Sequence, residues 1–210
     1  MSYAVKELFL TLQGEGTHAG RPAVFCRFAG CNLWSGREAD RDGAICPFCD
    51  TDFVGTDGTE GGRYPSAEAL ADAILTVWGH EATHRSVVLT GGEPLLQADV
   101  ALIEALHRCD FWVAVETNGT IAAPPGLDWV CVSPKAGAPL VQRSGDELKL
   151  AYPQRGADPQ HFADMAFGSF RLQPIDGADG AANTRSAIEY CLAHRQWQLS
   201  VQTHKFLGLR

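Results

Sequence analysis

Three cysteines are spaced as ligands of one inorganic centre: Cys31, Cys46 and Cys49, in the pattern C-x14-C-x2-C. A C-x2-C turn brings two sulfurs within reach of one site, and a fourteen-residue excursion can return the chain beside Cys31. Three thiolates suit three irons of a [4Fe–4S] cluster, leaving the fourth iron to a ligand that is not protein. They also suit zinc completed by a nearby His or Asp, or unliganded thiols. The other four cysteines, Cys26, Cys109, Cys131 and Cys191, sit inside apolar patterns and read as small core residues. Seven is an odd number, which speaks against a complete disulfide set.

The elements that must position these residues are mostly strands. β-rich segments recur at 22–28, 86–90, 111–116, 129–133, 147–152, 169–173 and 198–203, and 4–12 adds an N-terminal candidate. Their Val, Phe, Leu and Trp content suits strands buried on both faces, as in parallel sheets. Convincing helices are fewer. One covers 66–78 behind Pro65-Ser66, one covers 99–108 from Asp99, and a third covers about 181–195. A short turn is expected at Asp158-Pro159. Stretch 32–65 is rich in Gly, Asp, Arg and Pro with little apolar periodicity, and uninterrupted loops beyond about 12–15 residues are usually functional or disordered. More strands than helices predict an α/β fold whose crossovers are partly loops. An eight-unit barrel takes about 250 residues, so a shortened, open TIM-like barrel of about six core strands fits better.

The 210 residues suit one domain, 1–210, that folds without disulfides. Seventeen Lys and Arg against 25 Asp and Glu give a net charge of −8, which disfavours bulk nucleic-acid binding. No apolar run approaches the roughly 18 residues of a membrane span, and MSYAVKELFL lacks a signal-peptide layout, so a cytoplasmic location is expected. Cysteines there should be thiols or metal ligands. GTDGTEGG at 55–62 lacks the Lys-Ser/Thr of a phosphate loop, which excludes a nucleotide triphosphatase.

The surroundings of the cysteines carry a family resemblance over essentially the whole chain. Its parts are Leu12-Gln13-Gly14-Glu15-Gly16, Arg27-Phe28-Ala29-Gly30-Cys31-Asn32-Leu33-Trp34 and Cys46-Pro47-Phe48-Cys49-Asp50-Thr51. Thr90-Gly91-Gly92-Glu93-Pro94, Glu116-Thr117-Asn118-Gly119, Ser133-Pro134-Lys135, Gln173-Pro174-Ile175-Asp176 and Gln202-Thr203-His204-Lys205 follow in order. In that order they resemble radical S-adenosylmethionine enzymes, specifically the 7-carboxy-7-deazaguanine synthases of queuosine and deazapurine biosynthesis, a tRNA modification pathway.

That resemblance implies a [4Fe–4S] cluster on Cys31, Cys46 and Cys49, within a cluster-binding loop 31–65. It implies S-adenosylmethionine contacts from Phe48, Cys49, Asp50, Gly92, Glu93, Ser133, Pro134, Lys135, Gln173, Pro174, Ile175 and Asp176. The implied substrate is 6-carboxy-5,6,7,8-tetrahydropterin, held by Leu12, Gln13, Gly14, Glu15, Arg27, Thr90, Glu116, Asn118, His204 and Arg210. Glu116 and Asn118 suit its amino and ring N–H groups, and the planar fork of Arg27 suits its carboxylate. Thr51 is implied to bind Mg2+ shared with the substrate carboxylate, since magnesium keeps waters and accepts substrate oxygens. The implied reaction is a radical carbon–nitrogen lyase ring contraction with loss of ammonia. A flavodoxin-like electron donor and a homodimer belong to the same expectation. The competing readings are a radical activase acting on a protein partner and a non-catalytic zinc-binding interaction module.

Overall fold

The computed structural model describes residues 2–209 and builds one nine-stranded sheet. The strands are β1 (Tyr3–Leu12), β2 (Pro22–Phe28), β3 (Gly62–Tyr64), β4 (Ser86–Gly91), β5 (Trp112–Thr117), β6 (Trp129–Val132), β7 (Ser144–Tyr152), β8 (Ala166–Pro174) and β9 (Trp197–Leu199). Their order is β3-β1-β2-β4-β5-β6-β7-β8-β9, and β9 does not pair with β3, so the barrel is open. From β2 to β9 every neighbour runs parallel, while β1 is antiparallel to both β2 and β3.

Alternation along the strands sorts side chains to two faces. Val24, Cys26, Val87, Leu89, Val113 and Val115 point to an outer core covered by α1 (Ala67–Trp78) and α2 (Val100–Arg108). Leu148, Leu150, Phe170, Leu172 and Trp197 form a second outer core with Ala187 of α3 (Gly180–Ala193). Ser66 caps α1 through Ala69 N–H, and Asp99 caps α2 through Leu102 N–H, which satisfies helix-start donors. Between β5 and β7 no helix crosses over. Ile121, Ala123 and Leu127 of the connecting loop cover the core there.

Several sequence expectations are corrected. The strand placed at 198–203 ends at Leu199, because Ser200–Gln202 carry polar contacts and Thr203–Leu207 turn into a short helix, α4. Within 32–65, a 3-10 helix covers Glu38–Gly43, and β3 pairs antiparallel with β1. β3 has three residues and no apolar alternation, so nothing in its composition announced it. Strands β7 and β8 each begin three residues earlier than expected, at polar or small residues. Of the four cysteines read as core, Cys26 is buried in the first outer core, Cys109 is half-buried at its margin, and Cys191 is half-buried at the margin of the second. Cys131 is buried on the opposite, inner face beside Glu147.

Candidate active site

Because the strands are parallel, the C-terminal ends of β2, β4, β5, β6, β7, β8 and β9 share one rim, where barrel folds gather ligands. A cavity of about 410 Å³ opens there. Its wall includes Cys31, Cys46, Phe48, Cys49, Asp50, Thr51, Gly92, Ser133, Lys135 and the run Gln173–Asp176. Leu12, Gln13, Gly14, Glu15, Arg27, Thr90, Glu116, Asn118 and His204 line it as well, as do Lys149, Gln202 and Lys205. Among the expected site residues, Glu93 and Pro134 lie off this wall, and Arg210 falls outside the described residues.

The cysteine loop is docked by glycines. Gly91 has φ +133°, and a Cβ on it would fall on the Phe28 carbonyl. A Cβ on Gly92 would fall on the Gly30 carbonyl and stand 2.7 Å from Cys31 Cβ. Only bare backbone lets the turn after β4 press against the Gly30-Cys31 segment. Glu93 is fully buried behind that turn, where its carboxylate accepts from Leu95 N–H, Thr117 Oγ1 and Asn118 N–H at 2.8–2.9 Å. Its carboxylate ties the turn after β4 to the turn after β5 and does not reach the cavity. Asn118 is likewise occupied, donating to Asn32 Oδ1 and accepting from Thr120, so its side chain anchors the residue after Cys31.

Cys49 carries the thiolate character of the site. A hydrogen bond from Cys46 lowers its pKa to about 6 against the opposing effect of burial, with help from Thr51. Burial raises Cys31. Lys135, buried nearby, donates to Ser133 O and Oγ at 2.6 and 2.7 Å. Burial lowers its pKa, and the thiols of Cys46 and Cys49 act in the opposite sense. Among the described residues, no three Cys, His, Asp or Glu side chains converge on a point that one metal ion could fill.

The inner face supplies the polar floor. Gln13 Nε2 donates to Glu116 Oε1 at 2.8 Å, and Arg27 Nε donates to Glu7 Oε1 at 2.9 Å, leaving the two terminal nitrogens of Arg27 for other acceptors. Lys149, which sequence reasoning missed, bridges Glu15 and Glu116. The signal was present in Glu147-Leu148-Lys149-Leu150, where charged residues alternate with buried leucines and so define a polar inner face. Gln202 and Lys205 were also missed as individual residues. Gln202 donates to Glu15 Oε1 at 2.8 Å, and Lys205 bridges Asp50 and Asp176 at 2.9 and 2.6 Å.

No protein-family model matches the chain. Curated relatives do. A 7-carboxy-7-deazaguanine synthase of Bradyrhizobium diazoefficiens is 69% identical over 210 residues, covering all of both chains. Those of Burkholderia multivorans and Escherichia coli K12 are 56% and 32% identical, again over the full length of both chains. The crystal structure of QueE from Escherichia coli matches with a TM-score of 0.70 at 32% identity, over 97% of this chain and 95% of that one. With identity sustained from end to end and the same fold beneath it, the chain belongs to the 7-carboxy-7-deazaguanine synthase family of radical S-adenosylmethionine enzymes.

Proposed function

We propose that residues 1–210 act as one radical S-adenosylmethionine domain in which loop 31–65 holds a [4Fe–4S] cluster on Cys31, Cys46 and Cys49. The observation that carries this reading is a single cavity lined by the three thiols, a buried lysine and an array of hydrogen-bonding residues. The donor set fits the cluster: three soft thiols, one already biased toward thiolate, around a pocket with room for a further ligand. Gln173 fits S-adenosylmethionine, because its Nε2 is buried on the cavity wall with no partner. Phe48 offers an apolar ring to the adenine, while Ser133 and Lys135 supply donors for ribose or carboxylate oxygens. Asp50, Gly92, Pro174, Ile175 and Asp176 complete that half of the pocket. Glu93 and Pro134 support it from behind the wall. When bound, the cluster and S-adenosylmethionine supply a carbon-centred radical that removes a hydrogen from substrate.

The substrate in this reading is 6-carboxy-5,6,7,8-tetrahydropterin, which loses one ammonia on contraction to 7-carboxy-7-deazaguanine. Glu15 and Glu116 accept from its N–H groups, and the terminal nitrogens of Arg27 take its carboxylate. Leu12, Gln13, Gly14, Thr90, Asn118 and His204 shape the remaining wall and exclude water. The family resemblance assigns Arg210 to the substrate as well. Magnesium fits only as a shared ion. Thr51 offers one hydroxyl, while Asp50 and Asp52 on either side are paired with Lys205 and Lys6. A flavodoxin-like reductant, a homodimer and a cytoplasmic location complete the proposal. Among the described residues no helix is long and apolar enough to cross a membrane.

The test is anaerobic reconstitution of wild type and of Cys31→Ala, Cys46→Ala and Cys49→Ala, followed by iron analysis and product assay. Wild type is expected to bind iron and sulfide and to form the deazaguanine, and each variant to lose both visible absorbance and turnover. Full activity in any variant, or one zinc per wild-type chain, overturns the reading. So does deoxyadenosine release that requires a protein partner, which is the activase outcome.

A further inference from the structure

Lys149 lies near the middle of β7 with its side chain only 6% exposed. Its Nζ donates to Glu15 Oε2 at 2.7 Å and to Glu116 Oε2 at 3.1 Å. These carboxylates come from different parts of the chain, the loop after β1 and strand β5. Each has its second oxygen fixed as well: Gln202 donates to Glu15 Oε1, and Gln13 donates to Glu116 Oε1. A buried ammonium is tolerated only where carboxylates replace its water. Here one cation meets two anions, so the trio keeps a net negative charge on the cavity wall. The remaining lone pairs of both carboxylates are acceptors.

We propose that Lys149 is a positioning residue that sets ring specificity. By holding Glu15 and Glu116 side by side on one ammonium, it presents an acceptor-only edge that takes the N–H-bearing edge of a guanidine-like ring and rejects rings lacking those donors. The inference rests on the substrate reading given above, and it adds a residue and a selection rule to it.

The charge states support the geometry. Burial works against the Lys149 cation, but Glu116 and Glu15 outweigh it and raise its pKa. Burial alone would raise Glu15, and the Lys149 charge and hydrogen bond reverse that, aided by Gln202 and His204. Other titratable or charged groups face the trio. Glu147 lies on β7 itself, Cys131 on β6, and Lys135 follows β6. Arg171 of β8 is in register with Lys149, and His204 of α4 adjoins Glu15. Wild type and Lys149 variants share all of these, so the ratio of their affinities isolates the lysine. Without the cation, the like charges of two adjacent carboxylates favour a shared proton, so that one of them becomes a donor toward the acid side of the pH range.

The experiment measures equilibrium binding of 6-carboxy-5,6,7,8-tetrahydropterin, and of its analogue lacking the exocyclic amine, to cluster-loaded enzyme with S-adenosylmethionine and no reductant. K149M is expected to bind substrate roughly 10- to 100-fold more weakly at about pH 6.5, with the deficit shrinking several-fold by about pH 8.5. Its preference for the amino-bearing ring should fall by a similar factor. K149R should retain the wild-type pH profile. Intact cluster absorbance and S-adenosylmethionine binding certify that K149M is folded, and K149Q is read in its place if it is not. Wild-type affinity in K149M, or a pH-independent deficit that K149R shares, overturns the inference. Wild-type affinity in both E15Q and E116Q instead overturns the underlying substrate reading.

Discussion

Cys46 and Cys49 share protons unequally: Cys49 is stabilised as thiolate by the hydrogen bond from Cys46, while that bond and burial push Cys46 far up. In cluster-free protein, iodoacetamide should therefore modify Cys49 with a midpoint near its pKa of about 6, well before Cys46, as read by peptide mass mapping. Equal rates for both thiols would sink that assignment. Glu93 makes a stability prediction. Removing its carboxylate in Glu93→Ala leaves two N–H groups and the Thr117 hydroxyl proton without an acceptor in a buried place. The expected loss is about 3 kcal/mol, or a Tm drop of roughly 6–12 °C in calorimetry. Burial raises the Glu93 pKa, so the native state binds this proton more tightly than the unfolded chain. The stability it contributes is thus full below the ordinary carboxylate pKa and declines as pH rises through the raised one. Urea midpoints of wild type should carry that slope relative to Glu93→Ala. At this scale the sequence revealed which residue types gather at strand ends. It did not show that Glu93 turns inward, because that depends on Thr117 and Asn118 meeting it from another strand.

The excursion between Cys31 and Cys46 is an element without periodicity, and one arginine in it ties it to the C-x2-C turn. Arg41 stacks 4.2 Å over Trp34, and its Nε is held by Glu38 at 2.8 Å. Its Nη1 donates to Pro47 O at 2.6 Å and Cys49 O at 3.0 Å, which clamps the backbone of the C-x2-C turn. Such a clamp leaves no repeating pattern in sequence, which is why this stretch read only as loop. The helices, by contrast, were legible from caps and apolar spacing. Arg41→Ala is expected to speed loss of iron to a chelator about tenfold while leaving the melting profile nearly unchanged. Arg41→Lys should behave like Arg41→Ala, since a single ammonium cannot hold Glu38 with one nitrogen and both carbonyls with another while its plane stacks on Trp34. Iron-release kinetics indistinguishable from wild type would remove the clamp from the account.

For the molecule as a whole, the parallel sheet was legible because strands buried on both faces read as continuous apolar runs. Closure of the open barrel was not legible, because it is made by polar backbone contacts between distant segments. Gly16 N–H donates to Ser200 Oγ, and Thr203 donates through both N–H and Oγ1 to the Gly14 carbonyl. A Cβ on Gly14 would fall on the His204 ring, so the first loop and α4 meet without room for a side chain. Lys205 then ties α4 to Asp50 in the cysteine loop and to Asp176 after β8. The C-terminal segment therefore spans the gap that the sheet leaves open, and it borders the cavity where Glu15 stands. Ending the chain after Gln202 keeps the Ser200 and Gln202 bonds but removes the contacts of Thr203, His204 and Lys205, without touching Cys31, Cys46 or Cys49. Iron content should stay at the wild-type level, while KM for the pterin rises at least about tenfold as His204 leaves the pocket, the proposed Arg210 contact is lost and the Gly14 loop loses its backing from Thr203. Gly14→Ala should move in the same direction by displacing His204. An unchanged KM in the truncated chain would mean that the sheet alone shapes the pocket. A parallel loss of iron would mean instead that Lys205 acts mainly on the cysteine loop, through Asp50.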